Sequence, residues 1–305
     1  MKVIRFERIL VSWALIFVFL TLFPAEIPAA EEYKFKRMWP VLQQPWYFSD
    51  HRGLAVDGSG NVYVTGGSDI KKFSSDGEFI TEWGTWGTGD GEFMAAAGIA
   101  IDSQGNVYVA DVYNNRVSKF TPDGQFTKKW GTKGTGSGSF SAPLGIAVDG
   151  NDNVYVADIN NNRIQKFNSE GQYLTQWGSK GDGDGQFDWP GDMVIGSEGF
   201  LMNAYNGGNV LAVDKNGNVY VADINNCRVQ KFNSNGQFLS KWGVFGSNDG
   251  EFKYPLSVCV DASGHVYVAD RYKSNIQKFT PEGAFITKWG GEAGCPLQLS
   301  GRNGQ

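Results

Sequence analysis

The residues with the clearest chemical potential are an aspartate and an arginine that recur together along the chain. Arginine stands five residues after aspartate three times: Asp111/Arg116, Asp158/Arg163 and Asp223/Arg228. A guanidinium group binds carboxylates with paired hydrogen bonds, so a ring of such arginines would hold carboxylates or anionic glycans. The alternative is a local ion pair with the nearby aspartate, worth about 0.2–1 kcal/mol if exposed. A further copy keeps Asp270 but has Asn275 for arginine, which leaves Arg271 without this partner and makes it a candidate contact residue.

A second set of acidic residues lies in glycine-rich segments: Asp90, Asp182, Asp184 and Asp249. The stretch 181–185 superficially resembles a calcium-binding glycine-aspartate repeat. Calcium takes six to eight oxygen ligands, and these aspartates fall in three separate segments, so a site would need extra backbone carbonyls. No cofactor is therefore predicted: the glycine-rich segments are expected to be structural loops, calcium is the alternative, and the metal content is open.

No catalytic constellation is visible. The chain has only two histidines, His51 and His265, which excludes a three-histidine zinc site. No Gly-x-Ser-x-Gly nucleophile elbow occurs. Cys259 occupies a strand position where a buried small residue is expected, and Cys227 a loop position where exposure is expected. No catalytic residue is predicted, and a metal-assisted hydrolase or lyase that uses carboxylates in a central channel is the alternative function.

These residues recur because the chain repeats one unit. Val-Tyr-Val begins at residues 62, 107, 154, 219 and 266, and Trp-Gly begins at residues 83, 130, 177, 242 and 289. The spacing of Trp-Gly is 47, 47, 65 and 47 residues, so five copies are in register with an 18-residue insertion before the fourth. The predicted copies span about 51–93, 94–140, 141–187, 209–252 and 253–290, with the insertion at 188–208.

Each copy is predicted to contain four strands, which we name a to d. In the third copy they cover residues 144–148, 153–157, 163–167 and 172–177. An aspartate after strand a, usually followed three residues later by glycine, predicts a tight turn, because aspartate accepts backbone N–H groups and glycine adopts positive φ. Four antiparallel strands repeated every 40 to 50 residues are typical of a β-propeller, in which neighbouring blades cover each other's faces. The tryptophan in each strand d is expected to seal one blade against the next.

The third copy also resembles a known family. Residues 145–149, 153–158, 161–167 and 177–178 are similar to the NHL repeat, and the resemblance extends over residues 52–290. It implies a propeller, commonly six-bladed, that serves as a binding platform for proteins, RNA or surface ligands. A minority of propellers in this wider group are metal-dependent hydrolases or lyases. We expect a non-catalytic scaffold for a protein or a cell-surface polymer.

The blade count depends on the two ends of the chain. Residues 33–39 resemble a strand d, and residues 295–299 resemble the start of a strand a. A propeller over residues 31–300, with an incomplete sixth blade and a tail at 301–305, is therefore expected. A five-bladed ring is the alternative, and whether the chain is truncated at Gln305 is open.

Residues 1–30 are predicted to be a signal peptide. Three basic residues precede a run of 15 uncharged residues at 9–23, and small residues follow at 29–30. Cleavage there predicts a secreted or periplasmic protein; an uncleaved segment would be its one membrane contact. The net charge of −5 argues against nucleic-acid binding, and the 41 glycines among 305 residues indicate many tight turns. We expect a monomer.

Overall fold

The computed structural model describes residues 51–189 and 210–291, and these form twenty strands in five antiparallel sheets. Blade 1 comprises β1 (His51–Val56), β2 (Val62–Gly66), β3 (Asp69–Phe73) and β4 (Phe79–Trp83). Blade 2 comprises β5 (Ala96–Ile101), β6 (Val107–Asp111), β7 (Arg116–Phe120) and β8 (Phe126–Trp130). Blade 3 comprises β9 (Pro143–Val148), β10 (Val154–Asp158), β11 (Arg163–Phe167) and β12 (Tyr173–Trp177), with a 3-10 turn at Ile159–Asn161. Blade 4 comprises β13 (Leu211–Val213), β14 (Val219–Asp223), β15 (Arg228–Phe232) and β16 (Phe238–Trp242). Blade 5 comprises β17 (Pro255–Val260), β18 (Val266–Asp270), β19 (Asn275–Phe279) and β20 (Phe285–Gly290).

Each sheet is a simple meander in which consecutive strands pair, so the predicted order of strands a to d is confirmed. In blade 3, strand c has the predicted bounds, strands a and d each differ from prediction by one residue at the start, and strand b is shifted by one residue. Strands b and c of blades 2 and 3 are buried along their whole length, whereas strand d alternates between half-buried and exposed residues. The pattern follows from position, because strand d is one edge of each sheet, whereas strand a, the opposite edge, packs against strand a of a neighbouring blade and is largely buried in blade 2.

The turn between strands a and b has the predicted chemistry. In blade 3, the Asp149 carboxylate accepts the backbone N–H groups of Asn151 and Asn153, each at 2.9 Å. Asp152 stands where the other copies have glycine, and it adopts the same left-handed conformation with φ of 61°. Its carboxylate accepts hydrogen bonds from the backbone N–H and the hydroxyl of Ser103 in blade 2, so this aspartate also ties two blades together.

Tryptophan and glycine fix the distance between blades, as expected for the tryptophan in strand d. Trp130 of blade 2 lies on Gly171 of blade 3, where an added Cβ would come within 2.7 Å of the indole ring. The same contact joins the other consecutive blades: Trp83 with Gly124, Trp177 with Gly236, and Trp242 with Gly283. Since a side chain at these turns would separate the sheets, the glycine is required by the blade-to-blade contact as well as by its positive φ.

Blades 1 and 5 each have one face that no residue of the described part of the chain covers fully. Leu54 of blade 1 is 59 % exposed, whereas its equivalent in blade 3, Ile146, is fully buried. Cys259 in β17 is exposed, so the expectation that it is buried was wrong; Cys227, expected to be exposed, is buried. Burial at an end blade depends on which neighbour stands beside it, which a repeat pattern does not reveal.

Five blades are therefore observed, which is the number in the five-bladed alternative. The segments assigned to an incomplete sixth blade, 33–39 and 295–299, lie outside the described residues, as do the predicted signal peptide and residues 190–208 of the insertion. The sixth blade stays a prediction. Within 51–189 and 210–291, no helix has the length and apolar character needed to span a membrane.

Candidate functional site

The b–c loops and the d–a crossings meet on one face of the propeller, which we call the b–c face. The loops are residues 112–115, 159–162, 224–227 and 271–274, and the crossings are residues 84–95, 131–142, 178–189 and 243–254. Hydrogen bonds join each loop to the crossing that enters its own blade; the Asn161 amide, for example, donates to the Gly134 carbonyl at 2.9 Å. The face is therefore a continuous surface built from both kinds of segment.

Blade 3 illustrates the aspartate–arginine pair. Asp158 is fully buried and accepts hydrogen bonds from the Ser141 backbone N–H at 2.7 Å and the Asn161 amide at 2.8 Å. The Nε of Arg163 lies 2.8 Å from the same carboxylate. The remaining guanidinium N–H groups donate to four oxygens: the carbonyls of Thr135, Gly136 and Ser139, and the Gln176 side chain. The guanidinium is thus committed to oxygens of this chain.

Blades 2 and 4 repeat this arrangement. The Nε of Arg116 lies 3.3 Å from Asp111, and the Nε of Arg228 lies 2.7 Å from Asp223. In each pair the arginine side chain is 7 % exposed and the aspartate side chain is fully buried. Burial raises the pKa of all three aspartates, against the opposing effect of the hydrogen bonds and the guanidinium. These six of the eight sequence-predicted site residues lie inside the protein, where they join loop to crossing, and Asp270 of blade 5 is buried as well.

Blade 5 departs from this pattern, and sequence reasoning missed how. Asn275 replaces the arginine, and Lys273, two residues earlier, makes some of the hydrogen bonds that the arginine makes in the other blades. The Lys273 Nζ donates to the carbonyls of Asn248 and Glu251, the equivalents of two carbonyls that Arg163 binds in blade 3. Burial lowers the pKa of Lys273, and Asp270 opposes this. The available signal was the simultaneous loss of an arginine and gain of a lysine in one copy.

The b–c loop of blade 5 also begins with two large exposed side chains. Arg271 is exposed, and its Cζ lies 5.9 Å from the ring centroid of Tyr272, which is 59 % exposed. Tyr272 in turn contacts Tyr254, with ring centroids 4.8 Å apart. The crossing into the same blade carries exposed Val244 and Phe245. We call these five residues the blade-5 surface; of the predicted site residues, it contains Arg271, whereas Asp270 lies buried beneath it.

Three of the four crossing aspartates form ion pairs with a lysine in strand d of the blade that they enter. The ion pairs are Asp90 with Lys129, Asp184 with Lys241 and Asp249 with Lys288. His265 lies in an a–b turn, on the opposite face, with its Nδ1 3.0 Å from Asp261. In the part of the chain that the structure describes, no group of three or more His, Cys, Asp or Glu side chains is arranged to hold a metal ion.

Five meandering four-stranded blades that cover each other's faces define the class of this protein as a β-propeller. The family model of the NHL repeat matches residues 93–120, 140–167, 211–232 and 252–279. The chain belongs to the NHL-repeat β-propeller family, as its sequence pattern predicts. The copy at 51–93 is outside the matched segments, and it is also the copy with Gly66 and Asp69 in place of the aspartate and the arginine.

Solved structures agree on the fold. Virginiamycin B lyase from Staphylococcus aureus aligns with a TM-score of 0.54 at 16 % identity, over 80 % of this chain and 71 % of that chain. A chain of a nidogen/laminin complex aligns with a TM-score of 0.55 at 19 % identity, over 80 % and 81 % of the two chains. A Bacteroides caccae protein of unknown function aligns with a TM-score of 0.55 at 13 % identity, over 79 % and 81 %. A comparison with curated protein sequences finds no significant match.

Proposed function

We propose that this protein is an exported, non-catalytic binding scaffold for a protein or a cell-surface polymer, and that the blade-5 surface makes the contact. One observation supports this above all. The b–c loops of blades 2 to 4 begin with a buried aliphatic residue, whereas the loop of blade 5 begins with the exposed Arg271 and Tyr272. Tyrosine and arginine are enriched among the residues that dominate binding energy in protein interfaces.

The loop that carries these side chains is held in place before any ligand arrives. Asp270 is 2 % exposed and accepts four backbone N–H groups, from Lys253, Tyr254, Tyr272 and Lys273. A loop fixed in this way loses little conformational entropy on binding, which favours affinity. The part of the blade-5 surface that includes Tyr254 and Tyr272 is therefore prearranged, which suits a scaffold.

The structural neighbours include an enzyme and a binding protein, since one is a lyase and another is part of a protein complex. Identities of 16 % and 19 % give the fold alone, so neither activity transfers to this chain. A metal-assisted hydrolase or lyase remains the alternative function. Metal analysis of the purified protein distinguishes the two, because the scaffold requires no stoichiometric metal.

The scaffold is tested by capture of a partner from extracts of the cell envelope, followed by measurement of the affinity for that partner by biolayer interferometry. We expect the double variant Arg271→Ala/Tyr272→Ala to lose about 30-fold or more in affinity, as for interface residues worth at least about 2 kcal/mol. Asn225→Ala is the matched control, because Asn225 is the exposed blade-4 equivalent of Tyr272. Equal affinity of wild type, the double variant and Asn225→Ala would show that the blade-5 surface does not make the contact. Turnover of a substrate would refute the non-catalytic scaffold.

Export is tested separately by N-terminal sequencing of the protein recovered from the producing cells. We expect the mature chain to begin at Ala30 or Glu31, because the small residues at 29 and 30 follow the apolar run. An intact N-terminus on protein recovered from the cytosol would contradict export while leaving the binding surface in place.

A further inference from the structure

Blade 5 contains a pocket at the place where blades 2 to 4 hold their arginine. It has a volume of about 640 Å³ and is lined by seven residues: Ser247, Lys253, Lys273, Asn275, Lys288, Gly290 and Gly291. We call it the blade-5 pocket. Asn275 occupies the sequence position of Arg163, and Ser247 occupies the position of Thr135, whose carbonyl Arg163 binds. The pocket therefore exists because asparagine is too short to fill the space of an arginine.

Lysine replaces only part of what the arginine does. Lys273 donates to two of the crossing carbonyls but does not bond Ser247 or the side chain in strand d. Asn275 is 8 % exposed, and its Oδ1 is buried without a hydrogen-bond partner among the described residues. An unpaired buried acceptor is costly, so a ligand that donates a hydrogen bond here would be favoured.

The charge of the lining is positive. Three lysines line the pocket and no carboxylate does; Asp249, which binds Lys288, and Asp270, which acts on Lys273, both lie outside the set of lining residues. Lys288 and Asp249 are both nearly half exposed, so this ion pair can exchange for a ligand at little cost. The volume is within the range of about 300–1,000 Å³ that small-molecule sites occupy.

We propose that the blade-5 pocket binds an acidic sugar, whose carboxylate is held by Lys253, Lys273 and Lys288 while a neighbouring hydroxyl donates to Asn275. A uronic acid has both groups, a carboxylate and adjacent hydroxyl donors, within one ring. The inference rests on the proposed function in one respect, because it takes the surface polymer of that proposal and gives its chemical class. The pocket and the blade-5 surface share one blade and the same b–c face.

Calorimetric titration with trigalacturonate tests this, with galactotriose as the uncharged probe and inorganic phosphate as the anion without a sugar. Wild type is expected to bind trigalacturonate and not galactotriose. Lys288→Met is expected to weaken binding by tenfold or more. The matched control is Lys241→Met in blade 4, where Lys241 has the same strand position and the same kind of aspartate partner but the blade has Arg228 in place of asparagine; its binding should stay within twofold of wild type.

Asn275→Arg restores the arginine of blades 2 to 4 and should fill the pocket. We expect this variant to keep the thermal stability of wild type and to lose trigalacturonate binding. Wild-type binding by Asn275→Arg, or an equal loss in Lys241→Met, would overturn the proposal. If phosphate binds as tightly as trigalacturonate, the pocket is a general oxyanion site and the proposed specificity for an acidic sugar is refuted. If partner capture depends on Arg271 and Tyr272 while no variant or wild type binds trigalacturonate, the scaffold stands and this inference fails.

Discussion

Replacement of Arg163 by methionine tests whether this arginine stabilises the fold or is available to bind a ligand. Methionine keeps much of the length of the side chain and removes the guanidinium. The change deletes the 2.8 Å contact to Asp158 and four hydrogen bonds to oxygens of the crossing and of strand d. Because Asp158 is fully buried, it is left as an uncompensated charge, and loss of one partner of a buried pair costs about 3–5 kcal/mol.

Urea unfolding at neutral pH measures this directly. A loss of about 3–5 kcal/mol from a total of about 5–15 kcal/mol is a large shift of the midpoint. Arg271→Met is the control, because Arg271 is exposed and surface changes stay within about 0.5 kcal/mol. The double variant Asp158→Asn/Arg163→Met should recover part of the loss, since it removes the orphaned charge. If Arg163→Met unfolds within about 0.5 kcal/mol of wild type, the structural interpretation of this arginine is refuted.

The same variant should depend on pH in a defined direction. Burial already raises the pKa of Asp158, opposed in part by Arg163, so removal of the arginine raises this pKa further. A group whose pKa is raised on folding stabilises the protein fully below its unfolded value of about 3.9, and that stability is lost as the pH rises through the folded value. The deficit of Arg163→Met relative to wild type should therefore shrink when unfolding is repeated near pH 4.5. A deficit independent of pH would mean that Asp158 is not the source of the cost.

Much of the fold was predictable because the pattern of each strand occurs in five copies that can be compared with one another. The bounds in blade 3, the turn at Asp149 and the tryptophan contact at Trp130 all depend on interactions within one blade or with the next copy, so each copy confirms the others. Asp152 shows how far this extends, because the aspartate that breaks the glycine rule still adopts the positive φ that the turn requires.

The candidate site was less predictable, because its geometry depends on single departures from the repeat. The sequence placed Arg163 beside Asp158 but did not reveal that crossing carbonyls, 24 to 28 residues earlier, saturate the guanidinium. In the sequence, Asn275 in place of arginine appeared only as a lost charge. In the structure it leaves a cavity, and Lys273 fills part of that space. Exposure at Cys259 depends on the blade beside it, and composition carries no information about that neighbour.

Two further predictions concern the contacts that hold the blades. Gly171→Ala should cost about 2–4 kcal/mol in urea unfolding, because its Cβ would lie 2.7 Å from Trp130 at a φ of +73°. Gly150→Ala, with nothing within 4 Å, is the control, and equal effects of the two changes would contradict the blade contact. Burial, together with a hydrogen bond to the aspartate of the a–b turn, raises the pKa of four strand-b tyrosines: Tyr63, Tyr108, Tyr155 and Tyr220. Stability should therefore fall as the pH rises above about 10, by about 1.4 kcal/mol per pH unit for each tyrosine and about 5.5 kcal/mol per pH unit for the four. Melting temperatures across that range measure the slope, which Tyr108→Phe should reduce by about a quarter. Phenolate absorbance monitors the ionisation of these tyrosines in the folded protein. If all four ionise at the ordinary phenol pKa, their hydroxyls are not buried, and tyrosine ionisation is refuted as the cause of alkaline unfolding.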